Sequence, residues 1–493
     1  MGCSVPDWWE RAGYTKQEAT LLQRALLRLE LRYRSPHRFA KKSDVSAKLN
    51  RTRFAAQKRR EVLKSLQRPL PRNLPKVLLI AKPKESDSLG SLCPDRLKKW
   101  VPILSRTKVI DIDLTHFSFL DNPIATMEAF AKIANAELEG INVSLNFKDQ
   151  NCLDVGAMLL LEEIWPHLCP VFNGGQIQPM VAQMFEAVGL RKVMGWKPLT
   201  ASERNIDIFP FPFRRQNRNG RPTSKGVEPQ TSAIVATLVV RFIDLSLRQT
   251  SRVSLTRKAR QNFHGLIGEI LDNAGAHSSP DQKGGYSICG FLERREGEDG
   301  DIFRFNLSFL SMGQTIADGL ARAPAGISKG MTEYVDLHKS ASDLTEENLR
   351  TVYALRDGVT RLPEKLNVVG NKSLGGTGLA DILDFFAGLA LLADPKDSPK
   401  LAIVSGNTYV QASGRYSKAK RFTPAGMTEV SAVVPRELWF NEMNVKSEPP
   451  DVRHVYSLPG RLQGTLVTLG FNLDPHLVEK LKDAKNGSND DKG

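Results

Sequence analysis

The chain has 493 residues, of which 41% are apolar and 25% charged, and a formal net charge of +15. That length admits two or three domains with sizeable cores, and the composition excludes a fibrous or wholly unfolded protein. No run approaches about eighteen uninterrupted apolar residues and no signal-like apolar stretch opens the chain, so a cytoplasmic protein that neither spans a membrane nor is exported is expected.

The positive charge is concentrated near the start. Residues 16–72 contain 17 lysines and arginines against four acidic residues, a net +13 of the chain's +15. Leu22, Ala25, Leu26 and Leu29 recur at helical spacing over 15–34, and Phe54, Val62 and Leu66 share one side of a second helix over 47–66. Pro69, Pro71 and Pro75 then read as a linker, so residues 1–75 are predicted to form a basic helical arm. Two partners suit it: nucleic acid held through phosphate contacts, or an acidic protein surface. No zinc finger, base-reading motif or series of stacking aromatics favours the first. The five cysteines, Cys3, Cys93, Cys152, Cys169 and Cys289, are scattered and lack metal-ligand spacing, which fits packing roles in a reducing compartment.

Residues 76–200 alternate between the two secondary-structure periods. Strands are predicted at 77–81, 108–114, 140–147 and 171–172, and helices at 123–134, 155–164 and 179–188. That order implies a small α/β domain. Asp154-Val155-Gly156 opens the second helix, and together with the element order it resembles a STAS domain, the fold of anti-sigma-factor antagonists, in which Asp-Ser-x-Gly begins a helix and its Ser is phosphorylated. Val155 has no hydroxyl, so the resemblance implies that a phosphorylation switch is absent here. An unrelated α/β domain is the alternative.

Residues 201–475 carry the motifs with chemical content. Arg214, Arg215, Arg218 and Arg221, set among Pro, Asn and Gly over 209–226, predict a loop, and 232–247 a helix. His264–His277 then reads HGLIGEILDNAGAH, which places Glu269, Asn273 and His277 four residues apart on one helix face. Asn offers a neutral oxygen to hydrated Mg²⁺, and Glu can accept a proton from a water beside a triphosphate. A β-rich run at 302–310 ends in Ser311-Met312-Gly313, where the chain can turn sharply. Gly375, Gly376, Thr377 and Gly378 precede an apolar helix that starts at Leu379. Their N–H groups can approach phosphate oxygens there, with Lys372 nearby in sequence. Strands follow at 400–405 and 464–471. The interval from Gly313 to Gly375, with a helix-like stretch at 344–355, reads as a long lid.

The Glu-x-x-x-Asn-Ala string, followed in this order by the Ser-Met-Gly and Gly-Gly-Thr-Gly segments and a Gly-Thr strand, resembles the Bergerat-fold (GHKL) ATP-binding superfamily of gyrase, MutL and the kinase domains of sensor histidine kinases. The resemblance covers about half the chain. It implies an α/β sandwich over 201–475, with ATP and Mg²⁺ as cofactors, Glu269 as the catalytic base and Asn273 as the metal ligand. By the same resemblance His277, Ser311, Gly313, Lys372, Gly375, Gly376, Thr377, Gly378 and Leu379 line the nucleotide. Family members have Asp where Ser311 stands, to receive the exocyclic amine of adenine; Ser is an uncharged acceptor and puts base selectivity in question.

The implied whole is a multidomain α/β protein with an N-terminal arm and a polar tail over 476–493, acting as a Mg-dependent ATPase or ATP-switched regulator through partner proteins, with homodimerisation compatible. The alternative is a nucleotide-dependent or nucleotide-free scaffold of a signalling or anti-phage defence complex that binds nucleic acid through its arm. A serine or histidine kinase fits less well. A sensor kinase needs a phosphoacceptor His on a separate helix pair, whereas His264 lies inside the helix that carries Glu269.

Overall fold

The computed structural model describes residues 88–93, 109–216, 231–277, 286–359, 380–386, 399–421 and 436–481, with short gaps inside those ranges. Within them the chain is mixed α/β and divides into two units that interleave in sequence. The smaller takes Met1–Thr115, Glu128–Lys148 and Glu163–Ile177, and the larger takes His116–Met127, Asp149–Glu162 and Gln178–Gly493.

The smaller unit is built on β1 (Val109–Leu114), β2 (Asn142–Phe147) and β3 (Phe172–Gly174), which form a parallel sheet in that order. Parallel neighbours require crossovers, and helices α1 (Pro123–Leu138) and α2 (Gly156–Leu168) supply them. Trp165 of α2 is fully buried edge-on against Phe172, with ring centroids 4.9 Å apart. The predicted strands at 108–114 and 140–147 and helices at 123–134 and 155–164 are thus present with shifted ends. The predicted strand at 77–81 and the arm helices lie outside the described residues.

In the larger unit α3 (Pro179–Ala187) precedes β4 (Ile208–Gln216), α4 (Ser232–Ser251), β5 (Val253–Leu255), α5 (Arg257–His277), β6 (Tyr286–Gly297) and β7 (Gly300–Met312). Helices α6 (Ile316–Leu320), α7 (Ala325–His338) and α8 (Glu346–Ala354) follow, then β8 (Lys400–Ala412), the short pair β9 (Lys420–Arg421) and β10 (Arg436–Glu437), β11 (Val455–Asn472) and β12 (Val478–Lys480). Five strands make an antiparallel sheet in the order β4-β6-β7-β11-β8, while β12 pairs with β5.

The two faces of this sheet follow from strand alternation. Phe303, Phe305, Leu307 and Phe309 of β7, with Val467, Leu469 and Phe471 of β11, point toward α4 and α5 and form one apolar core with them. Phe263 of α5 lies edge-on to Phe305 and stacks on Phe471, both at 5.8 Å. The intervening residues face segments 116–127 and 149–162. There Gly156, which belongs to the larger unit, lies close to β11: a Cβ at this position would stand 3.2 Å from Thr468 Cβ. Tyr409 donates to the Phe119 carbonyl at 2.8 Å, and Lys400 pairs with Asp121 at 2.6 Å. Asp154, fully buried, accepts from Gly156 N at 2.6 Å and Leu120 N at 3.3 Å, and its burial pushes the carboxyl above the usual carboxylate range.

Two expectations change. The stretch predicted as a loop at 209–226 begins as strand β4. Its prolines are tolerated because β4 lies at the sheet edge, where a missing N–H need not disturb the ladder, and a register shift falls between Phe211 and Arg214. The interval read as a lid is also packed over much of its length. Leu320, Met331, Tyr334, Leu349 and Val352 of α6–α8 belong to the same core as α4 and α5. Thr345 and Asn348 close a capping box at the start of α8, where sequence spacing predicts a helix at 344–355. Among the described residues no helix is long and apolar enough to cross a membrane.

Candidate functional site

Helix α5 buries Phe263, Leu266, Ile267, Ile270 and Leu271, an apolar stripe at three- and four-residue spacing. Glu269 and Asn273 sit half-buried on its flank, one turn apart. The Asn273 Nδ2 is shielded from solvent and, among the described residues, has no hydrogen-bond partner. A buried amide donor without a partner costs on the order of 1–3 kcal/mol, so its position is unexplained by packing alone. His277 is the last residue of α5, and its side chain lies outside the described residues, as do Lys372, Gly375, Gly376, Thr377, Gly378 and Leu379.

On the sheet, the apolar face that meets α5 ends in polar residues. The odd-numbered series of β7 continues from Phe309 to Ser311, and strand pairing aligns Ser311 with Tyr286 of β6 on one side and Thr465 of β11 on the other. Thr465 in turn pairs with Ser405 of β8. Tyr286, Ser311, Thr465 and Ser405 therefore form one transverse row on the helix-facing side across four strands. Ser405 Oγ lies 2.9 Å from Thr465 Oγ1 and 3.2 Å from the Gly464 carbonyl, and Ser311 Oγ reaches the Thr465 carbonyl at 3.4 Å. Tyr286, Ser311 and Ser405 are all buried.

Backbone geometry holds the row in place. Gly464 has φ 149°, and a Cβ there would lie 2.1 Å from the Ser311 carbonyl oxygen, so glycine is required. Gly313, at φ 140°, turns the chain out of β7 and donates to the Gln463 carbonyl at 3.0 Å. Thr315 caps α6, and Ile316 N donates to Ser405 Oγ at 2.8 Å, which links the turn after β7 to β8. Beside it, Arg461 of β11 bridges Asp318 of α6 and Glu347 of α8, each at 3.1 Å.

Of the residues selected from sequence, Ser311 and Gly313 fall at the end of the row and Glu269 and Asn273 on the helix that packs against the same sheet face. Tyr286, Ser405 and Arg461 escape sequence reasoning. A signal exists for Ser405: it continues the alternation of Leu401 and Ile403, so a hydroxyl at that parity marks where the apolar face ends. Among the described residues no cluster of three or more His, Cys, Asp or Glu could hold a metal ion by itself. Comparison of the chain with protein-family models, with curated proteins and with solved structures finds no match in any of the three.

Proposed function

We propose that the larger unit is a Bergerat-type nucleotide-binding domain and that the protein is an ATP-hydrolysing or ATP-switched regulator acting through a partner. The observation that carries this reading is the polar row at one end of an otherwise apolar sheet face, packed against a helix whose Asn273 Nδ2 has no partner among the described residues. A planar base needs such an end, apolar along its faces and supplied with hydrogen-bonding groups at one edge. The element order supports it as well: α4 and α5 come first, then β6 and β7, then α6–α8, then β8 and β11. For the smaller unit, the parallel β1-β2-β3 sheet with its crossover helices is in keeping with a STAS-like module.

The roles follow from side-chain chemistry. Asn273 presents an oxygen donor of the hard, neutral kind that suits Mg²⁺, and a metal carried mainly by phosphates and water needs few protein ligands. Mg²⁺, when bound, would neutralise phosphate charge. Glu269, one turn earlier, orients a water and takes its proton. Ser311, Thr465 and Ser405 hydrogen-bond the base edge. Retention of Glu269 favours hydrolysis over a purely structural role.

Calorimetric titration of the intact chain with ATP, GTP and a non-hydrolysable analogue, with phosphate release followed in parallel, tests the reading. Expected are Mg²⁺-dependent binding that Asn273→Ala abolishes, and a Glu269→Ala protein that still binds but hydrolyses about 10²-fold or more slowly. Absence of binding by every nucleotide would sink the proposal. Binding without phosphate release would select the switch over the ATPase.

A further inference from the structure

A second feature of the larger unit lies away from the polar row, around the junction of α4, β5 and α5. Arg241, Arg248, Arg252, Arg257 and Lys258 are all exposed there, and among the described residues none of them forms an ion pair. Three carboxylates of the neighbouring elements are held by other groups. Asp244 holds Arg260 at 2.7 Å and Leu255 N at 2.8 Å, Asp301 is engaged by Ser251 and by Arg294 at 3.8 Å, and Glu479 lies 4.0 Å from Arg260. Exposed cations normally find a carboxylate within reach or are interspersed with acidic residues. Five unpaired cations within eighteen residues leave a positive field that internal contacts do not cancel.

Their arrangement indicates the shape of what they meet. Arg241, Arg248 and Arg252 lie along α4 and its C-cap, so at 1.5 Å per residue the charges spread over about 16 Å. A single phosphate group would call for convergent cations, whereas charges along a straight helix face match a rigid, regularly charged edge. Duplex nucleic acid provides one negative charge per roughly 1.7 Å of axis, and the guanidinium fork fits phosphate oxygens. We infer that this face of the larger unit contacts the phosphate backbone of a nucleic-acid duplex, independently of the nucleotide site and of the basic segment 16–72. The interaction is sequence-neutral, because phosphate contacts carry no base information.

The test titrates the intact chain and its Arg241→Ala/Arg248→Ala/Lys258→Ala variant against a labelled duplex of about two helical turns, with salt raised from about 50 to 200 mM. Each phosphate contact contributes roughly 0.9 to the slope of log K against log salt, so the variant's slope should be shallower by about 2 to 3. An Arg241→Lys/Arg248→Lys protein keeps the charges and should keep the parent slope, which separates lost contacts from lost folding. Equal slopes for parent and alanine variant, or no duplex binding by the parent at the lowest salt, overturn the inference. Displacement of the duplex by polyglutamate at matched charge concentration, as effective as by unlabelled duplex, overturns it in favour of an acidic protein partner.

Discussion

Ser405 is the hub of the polar row, and removing its hydroxyl should damage the larger unit more than one exposed hydrogen bond would. Its Oγ accepts from Ile316 N at 2.8 Å and lies within bonding distance of both the Gly464 carbonyl and Thr465 Oγ1, at 3.2 and 2.9 Å. Ser405→Ala leaves the Ile316 N–H without its acceptor, at about 1–2 kcal/mol, and removes a further bond worth about 1 kcal/mol, so the expected loss is roughly 2–3 kcal/mol. The opposite face supplies the control. Ser308 and Thr468 share a buried bond of 2.7 Å with each other, so Ser308→Ala or Thr468→Val alone orphans a partner while the double replacement approaches neutrality. Denaturant unfolding followed by tryptophan fluorescence, to which the fully buried Trp439 of the larger unit contributes, reads both sets, provided the slope of the transition is unchanged. Because Ser405 also anchors the turn from Gly313 into α6, nucleotide affinity should fall with stability, whereas the Ser308/Thr468 pair should leave it unaltered. A Ser405→Ala cost below about 0.5 kcal/mol would refute the account of the row as a connected network.

Three further outcomes are expected. Ser311→Asp introduces a carboxylate that can receive an exocyclic amine, so ATP should bind more tightly by about 1–2 kcal/mol while GTP does not; equal ATP affinity in both proteins would mean that another residue reads the base. Arg461→Ala frees Asp318 and Glu347, loosening α6 and α8 from β11, and should raise hydrogen exchange in residues 316–354 with little change elsewhere; unchanged exchange would show that the helices are held by their apolar contacts alone. Asp154 has a native pKa raised by burial, so the native state holds its proton more strongly than the unfolded chain, and the associated stability is lost as pH rises from about 4 through the raised native value. Asp154→Asn keeps an oxygen for the Gly156 N–H but sets its NH2 against the Leu120 N–H, a fixed cost that does not vary with pH, so it should gain on the parent protein over that window; a parent that gains on the Asn variant as pH rises would reverse the assignment.

What can be read from sequence divides along physical lines. Strand β7 and helix α5 are legible because each buries one face, so Phe303 to Phe309 alternate and Phe263 to Leu271 recur with helical spacing whatever their partners. Strand β4 is not, because Pro210 and Pro212 argue against a ladder unless the strand is known to lie at an edge. Helices α6 and α7 merge into an apparent lid because their apolar residues acquire meaning only against a core assembled from distant segments. The polar row is the sharpest case. Tyr286, Ser311, Ser405 and Thr465 are unremarkable one at a time, and only the register of four strands aligns them.

That register also bears on what the site can recognise. A carboxylate at position 311 would accept hydrogen bonds and do nothing else, which ties recognition to a base edge that donates. Hydroxyls rotate, and each can donate or accept. Ser311 can leave its hydrogen on the Thr465 carbonyl and offer a lone pair, or rotate to donate it elsewhere, and the bond between the Ser405 and Thr465 hydroxyls runs equally well in both directions. A row of this kind accommodates an amine or a carbonyl at the same edge. If the larger unit binds a nucleotide as proposed, a hydroxyl in place of the carboxylate at position 311 removes the discrimination between purines and leaves affinity to the other contacts of the ligand.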